Sequence, residues 1–317
     1  MRKLGSCARN AGSYNLRMIA ASILADIRTR LERALARPAG SYRPLTVDGE
    51  VVGWLDAARA ARLADFTGVF VSGADGVRFA DALSTPADRT AALDGVARTL
   101  AAEGALSAWR DERYAAAAGL HAPPRFLLER CAARYFGIRT WAVHVNGLVL
   151  RDGDGGPDMW IARRSPTKAI DPGMLDNLVG GGIAAGADVA HTLVKEAWEE
   201  AGIPDPLAKA ARPAGAVHIC REQPDGLQRE TIFVHDLVLP ADFTPVGQDG
   251  EVVEERRVPL AEAARLVANA SGPDVVTADA SLVIVDCLLR HGAIAPDAPD
   301  CLALEALRHP DLDLARR

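Results

Sequence analysis

The sequence predicts an α/β (α+β) protein in two parts. A smaller, mostly helical N-terminal domain spans residues 1–135, and a mixed-sheet domain with helices around it spans residues 136–317. Three observations carry this expectation. Residues up to about 135 are rich in alanine and arginine and place apolar residues at helical spacing; from about residue 139 the texture changes to β-rich runs separated by turn signals. The 317 residues, 49% hydrophobic and 25% charged, have the composition of a soluble globular chain long enough for two cores.

In the first part the pattern predicts helices over 19–37, 54–64, 88–104 and 108–118, with short strands near Glu50–Gly53 and Gly68–Val71. Leu24, Ile27, Leu31 and Leu35 form the apolar stripe of the first helix, and Ala122-Pro123-Pro124 breaks helix and begins the connection. In the second part Thr140–Leu150 and Met159–Arg163 read as strands, with Asp152–Gly156 as the turn between them. Leu175–Val179 is a third strand, followed by Gly180, Gly181, Gly182 and Gly186. Val189–Ala201 reads as a helix stopped by Gly202 and Pro204. Strands at Ala214–Ile219, Glu230–Leu239 and Glu251–Val258 follow, and helices over 260–269 and 278–290 close the domain. No internal repeat interrupts this order.

Composition excludes several function classes. A net charge of −6 argues against a nucleic-acid binder, which presents a basic face. Cys7, Cys131, Cys220, Cys287 and Cys301 are scattered without paired spacing, as expected of reduced thiols in a cytoplasmic protein. Arg2, Lys3 and Arg9 precede the apolar stretch Met18–Leu24, but Asp26, Arg28 and Arg30 follow at once, so a signal peptide is not expected. No run approaches the roughly 20 apolar residues that span a bilayer, so no membrane partner is expected either.

Glu196, Glu199 and Glu200 stand at i, i+3 and i+4 and project from one face of the Val189–Ala201 helix. Three carboxylates so close repel one another, and the last turn of a helix already disfavours negative charge. A hard divalent cation with oxygen ligands reverses that penalty. The glycines ahead of the helix lack both the Gly-Lys-Ser/Thr ending of a P-loop and dinucleotide-binding spacing.

Gly181, then Ala187, then Lys195-Glu196-Ala197-Trp198-Glu199-Glu200-Ala201-Gly202-Ile203 resembles the Nudix box. That pattern reads Gly, five residues, Glu, seven residues, Arg-Glu, an aliphatic, any residue, Glu-Glu, any residue, Gly and an aliphatic. Ala187 replaces the first Glu, Lys195 replaces the Arg, and Ala197 is a small version of the aliphatic. The resemblance implies a Nudix-type α/β/α sandwich. It assigns Glu196 and Glu200 as the main ligands of Mg²⁺ or Mn²⁺, with Glu199 as a further ligand or base. Lys195 can still pair with a carboxylate, though as a point charge rather than a fork, and Asp188 can cap the helix in place of the missing Glu.

Outside the box, the segments 141–147, 159–168, 171–177 and 280–292 resemble one Nudix branch. It joins a preceding helical domain to the Nudix domain and includes the N-terminal half of fungal thiamine pyrophosphokinases. That branch implies hydrolysis of thiamine diphosphate analogues, oxidised forms especially, to the monophosphate. The small-molecule diphosphate would be the partner, and a homodimer is left open.

Residue chemistry supplies further candidates. Arg163, Arg164 and Lys168 precede the glycines and could bind a diphosphate, with Gly181 and Gly182 approaching it by backbone. His144 and Asn146 share a strand face and could line the pocket. Arg229, Glu230, Glu251 and Glu254 are candidates for supporting contacts, with Glu251 or Glu254 as an extra metal ligand, and Trp198 is expected to pack in the core or against its helix, with substrate stacking as the alternative. Three rivals stand beside the thiamine-type hydrolase: a hydrolase of ADP-ribose or NADH, a diphosphate isomerase, and a non-catalytic ligand-binding module.

Overall fold

The computed structural model describes residues 18–151 and 156–314. Arg2, Lys3, Arg9, Cys7 and positions 152–155 of the expected turn lie outside the described residues. The chain opens with α1 (Ala21–Ala34), which buries Leu24, Ile27 and Leu31 as one helical stripe. That stripe packs with Leu260, Ala263, Val267, Leu282 and Leu288 in a single core. Arg30 reinforces the contact by donating to the Val267 carbonyl at 2.7 Å and to Ser281 Oγ at 2.9 Å. A division at residue 135 therefore separates α1 from the core it completes.

Next come β1 (Arg43–Val47), β2 (Glu50–Leu55), α2 (Ala57–Ala64), β3 (Phe70–Gly73), β4 (Gly76–Phe79) and α3 (Pro86–Ala102). The strands form a sheet in the order β2-β1-β4-β3, with β1 and β4 parallel. Helix α3 starts two residues earlier than the sequence suggests, because Thr85 and Asp88 cap each other's backbone amides and Pro86 occupies the first turn. Leu45, Leu55, Leu63, Phe70, Leu93, Phe126 and Phe136 form the core of this part.

The helix expected over 108–118 is replaced by strand β5 (Arg113–Ala116), paired antiparallel with β6 (Phe126–Glu129). Alanine favours helix by only a few tenths of a kcal/mol over most residues. Pairing Tyr114 with Leu128 and Ala116 with Phe126 buries every second residue of β5, and that packing outweighs the local preference.

The second part contains β7 (Arg139–Val149), β8 (Asp158–Arg164), β9 (Leu175–Asn177), β10 (Val179–Gly182), α4 (Val189–Ala201), α5 (Asp205–Ala208), β11 (Arg212–Gln223) and β12 (Gly226–Val238). It closes with β13 (Val252–Pro259), α6 (Leu260–Ala268), α7 (Ala278–Arg290) and α8 (Cys301–Leu307). The sheet runs β11-β12-β7-β8-β13, with β12 parallel to β7. Residues 142–145 of β7 pair with β10, whereas residues 147–149 pair with β8. The sheet therefore parts beside β7 and seats β10 in the opening.

Side chains of β7 alternate between two helical layers. Val143, Val145 and Val149 pack with Leu193, Ala197 and Ala201 of α4, whereas Ala142 and Leu148 belong to the core of α1, α6 and α7. The expected α/β/α sandwich is thus observed. Among the described residues no helix is long and apolar enough to cross a membrane.

Candidate active site

The glycine strand β10 and helix α4 place the carboxylates. Asp188 caps α4 by accepting from the His191 amide at 2.7 Å, as expected of the residue beside Ala187, and Gly202 ends it at φ 60°. Both ends of α4 are therefore capped despite Ala187. In its last turns α4 presents Glu196, Glu199 and Glu200.

Their environments differ. Glu200 is buried, accepts from the Gly180 amide at 2.8 Å and has Lys168 Nζ at 3.9 Å. Burial pushes its pKa up to about 8, against the lowering influence of Lys168 and the Gly180 amide. Lys195 Nζ donates to Glu196 Oε1 at 3.1 Å and to Glu199 Oε2 at 2.7 Å. Burial raises the Glu196 pKa too, although Lys195 opposes it. Side-chain exposure rises from 8% at Glu200 to 17% at Glu196 and 34% at Glu199. The three do not form one tight cluster of ligand atoms among the described residues, and Lys195 pairs with two of them.

Close approach explains two glycines. A Cβ on Gly181 would lie 2.3 Å from Glu196 Cγ and 2.4 Å from Cδ, and one on Gly182 would lie 1.8 Å from the Tyr114 hydroxyl. The strand must be bare at both positions for the α4 carboxylate and the tyrosine to reach it.

Several residues expected to contact a ligand have partners within the chain. Arg163 spends its donors on Glu254 at 2.7 Å, the Gly173 carbonyl at 2.9 Å, the Pro273 carbonyl at 2.7 Å and Asp274. Arg164 donates to Asp176 at 2.7 Å and to the Ile170 carbonyl at 2.9 Å. Both guanidiniums therefore fold the 165–174 loop instead of facing a diphosphate. Lys168 does reach the site, bridging Glu200 to Glu251.

Glu254 does not join the carboxylate helix. Hydrogen bonds from Arg256 and Arg163 hold this exposed carboxyl down at about 2. Glu251 is the downstream carboxylate tied to the site: burial raises its pKa, but Lys168 and Arg110 outweigh this and lower it. Arg110 Nη1 donates to Glu251 Oε1 at 3.2 Å, so the N-terminal half reaches the same network.

His144 and Asn146 point to the face of β7 away from α4. His144 Nδ1 lies 2.8 Å from Asn177 Oδ1, and the fully buried Asn146 donates to Asp236 at 3.0 Å. They bind the sheet together, and the His144 ring lies beside Gly180. Arg229 is likewise structural, donating to the carbonyls of Leu312 at 2.8 Å and Gly137 at 3.0 Å. Glu230 accepts from Gln228 at 2.9 Å and Thr140 at 3.1 Å. Trp198, expected in the core, is 53% exposed, because the buried face of α4 is that of Leu193, Ala197 and Ala201. Asp236, Cys287 and His291 form a second cluster of ligand atoms, but Arg290 already holds both oxygens of Asp236.

The comparisons agree with the family that the fold indicates. A NUDIX domain model matches residues 141–278, and a domain of unknown function, DUF4743, matches residues 25–140. Nudix hydrolase 24, chloroplastic, of Arabidopsis thaliana is 38% identical over 275 residues, covering 86% of this chain and 74% of that protein. Nudix hydrolase 20, chloroplastic, of the same plant is 37% identical over 282 residues, with the same two coverages of 86% and 74%. The solved structure of DR0079 from Deinococcus radiodurans aligns over 56% of this chain and 99% of its own, at 21% identity and a TM-score of 0.42. Identity at this level across both halves of the chain, with the box residues gathered at β10 and α4, makes the protein a member of the Nudix hydrolase family and an enzyme whose general activity is pyrophosphohydrolysis.

Proposed function

We propose that the protein is a Mg²⁺- or Mn²⁺-dependent hydrolase of thiamine diphosphate and its oxidised analogues, releasing the monophosphate and phosphate. The observation that carries the metal-dependent part is the carboxylate face of α4 laid against the bare strand β10. Glu200 is buried beside Lys168, while Lys195 bridges Glu196 and Glu199. Hard oxygen donors crowded together and countered by ammonium groups fit a hard divalent cation. The thiamine part rests on the resemblance of residues 141–147, 159–168, 171–177 and 280–292 to the branch that acts on such compounds.

Glu196, Glu200 and Glu199 would hold the cation. When bound, it neutralises diphosphate oxygens and lowers the pKa of a water. The Gly180 amide keeps Glu200 aimed at the strand, and the absence of a Cβ at Gly181 lets Glu196 lie against it. Glu199, the most exposed of the three, would take the proton of the attacking water and pass it to solvent. Lys168, next to Glu200, is the basic side chain of the 163–168 segment that stays within reach of the site.

A substrate panel tests the reading: phosphate release from thiamine diphosphate, an oxidised thiamine diphosphate, ADP-ribose and NADH, with Mg²⁺ or Mn²⁺. Turnover of the thiamine compounds is expected. Turnover confined to the two nucleotides would keep the hydrolase and overturn the thiamine assignment, and ligand binding without any turnover would leave only a binding module.

A further inference from the structure

A diphosphate in a cleft of glutamates needs donors beyond a metal, and the fold has committed the arginines closest in sequence. Arg163 and Arg164 are held by carboxylates and loop carbonyls, and Lys168 is held by Glu251. Two further groups reach β10 from the other half of the chain. Strand β5 runs alongside the loop that follows β10, with the Ala185 amide donating to the Arg113 carbonyl at 2.8 Å. The next residue of β5, Tyr114, lays its ring over Gly182, close enough that a Cβ there would meet the phenol oxygen at 1.8 Å. The same Cβ position lies 3.8 Å from Arg130 Nη2, and its neighbour on Gly181 lies 2.8 Å from Glu196 Oε1. A phenol and a guanidinium nitrogen thus face Gly182 on one side of β10 and a site carboxylate faces Gly181 on the other, with the charge of Glu196 still felt by both Tyr114 and Arg130.

Neither donor is fully used. Tyr114 is 7% exposed as a residue, and its hydroxyl is not one of the fully buried polar atoms left unpartnered among the described residues, so it is open to an incoming acceptor. Arg130 gives Nη1 to Glu112 at 2.8 Å and sits 5.6 Å from the centre of the Tyr114 ring, while Nη2 has no partner among the described residues. Burial raises the Tyr114 pKa above its ordinary value, so its hydroxyl keeps its proton and offers a donor.

We propose that Tyr114 and Arg130 are the protein's receptor for the phosphate oxygens of the substrate, so that the N-terminal domain completes the hydrolase site. The proposal rests on the diphosphate reading above. A phenol O–H and a guanidinium N–H supply donors to a group that supplies only acceptors, and the arginine adds opposite charge. The attached domain thereby acquires a chemical role, since β5 and the turn after β6 bring to Gly182 two donors from outside the Nudix half.

Calorimetry of methylenediphosphonate, a P–C–P analogue that resists hydrolysis, binding to the full chain with Mg²⁺ present tests this role. Tyr114→Phe, which keeps the buried ring, is expected to weaken binding about tenfold, and Arg130→Gln more than that. Binding of Mn²⁺ alone should stay within about twofold of the parent in Tyr114→Phe, which separates loss of a phosphate donor from collapse of the carboxylate site. If Arg130→Gln does not fold, Tyr114→Phe decides the matter by itself. Parental affinity in Tyr114→Phe would overturn the receptor while leaving the diphosphate reading intact. Failure of the parent protein to bind the analogue would overturn both.

Discussion

Glu200→Gln is expected to lower metal-dependent turnover by at least about 10³-fold, equivalent to several kcal/mol of transition-state stabilisation, while making the metal-free protein more stable at neutral pH. The two effects have one cause. Glu200 is buried at the end of α4, and burial raises its pKa from the ordinary 4.5 to about 8. A carboxyl whose folded-state value lies above its unfolded value binds its proton more tightly when folded. Its contribution to stability is therefore fully present below about pH 4.5 and is lost as pH rises through about 8, with a total on the order of 5 kcal/mol. Glutamine has no such charge to desolvate. Thermal unfolding in chelator from pH 5 to 9 should show the parent losing stability relative to Glu200→Gln across that window. Parallel curves for the two proteins would show that Glu200 carries no buried charge penalty and that its site is solvated.

Gly181→Ala is expected to cut kcat about 100-fold with the fold retained, because the new methyl group occupies the place of Glu196 Cγ and Cδ, 2.3 and 2.4 Å away. The β10 backbone is pinned to β7 through the pairing of Gly181 with Val143, so the side chain must move instead. Displacing a reacting or ligating group by about an ångström costs on the order of 10² in rate. Steady-state phosphate release together with circular dichroism checks this. Parental kcat in a folded Gly181→Ala protein would mean that Glu196 does not act from the position it holds against β10.

The difference between what is legible in the sequence and what is not follows the range of the interactions. Glu196, Glu199 and Glu200 share a face because one helix fixes their spacing, and Asp188 caps that helix because its own side chain reaches the amide three residues on. Such features are local and readable. The position of Arg163 ahead of the glycines suggests a diphosphate ligand, yet its partners include Pro273 and Asp274, more than a hundred residues away. Glu254 stands directly across the β13–β8 pairing from Arg163, and the ion pair that results removes both from the site.

The 108–118 segment shows the same limit from another side. Its alanines favour helix, but Tyr114 and Ala116 gain more by pairing with a strand that the sequence places after Ala122-Pro123-Pro124. The alternation of buried residues in β5 spans only four positions, too short to read against an alanine-rich background. Tyr114 and Arg130 escape a reading of the sequence for that reason: no motif marks them, and only the packing of β5 on the loop after β10 brings them to Gly182.

The central claim is that the end of α4 holds a divalent cation for cleavage of a diphosphate. Titrating Mn²⁺ into the metal-free protein and following free Mn²⁺ by electron paramagnetic resonance tests it most directly. The account predicts binding by the parent that weakens at least about tenfold in both Glu196→Gln and Glu200→Gln, the loss of one charged ligand being worth well over about 1 kcal/mol. Equal Mn²⁺ affinity in all three proteins would contradict it and move the metal away from α4.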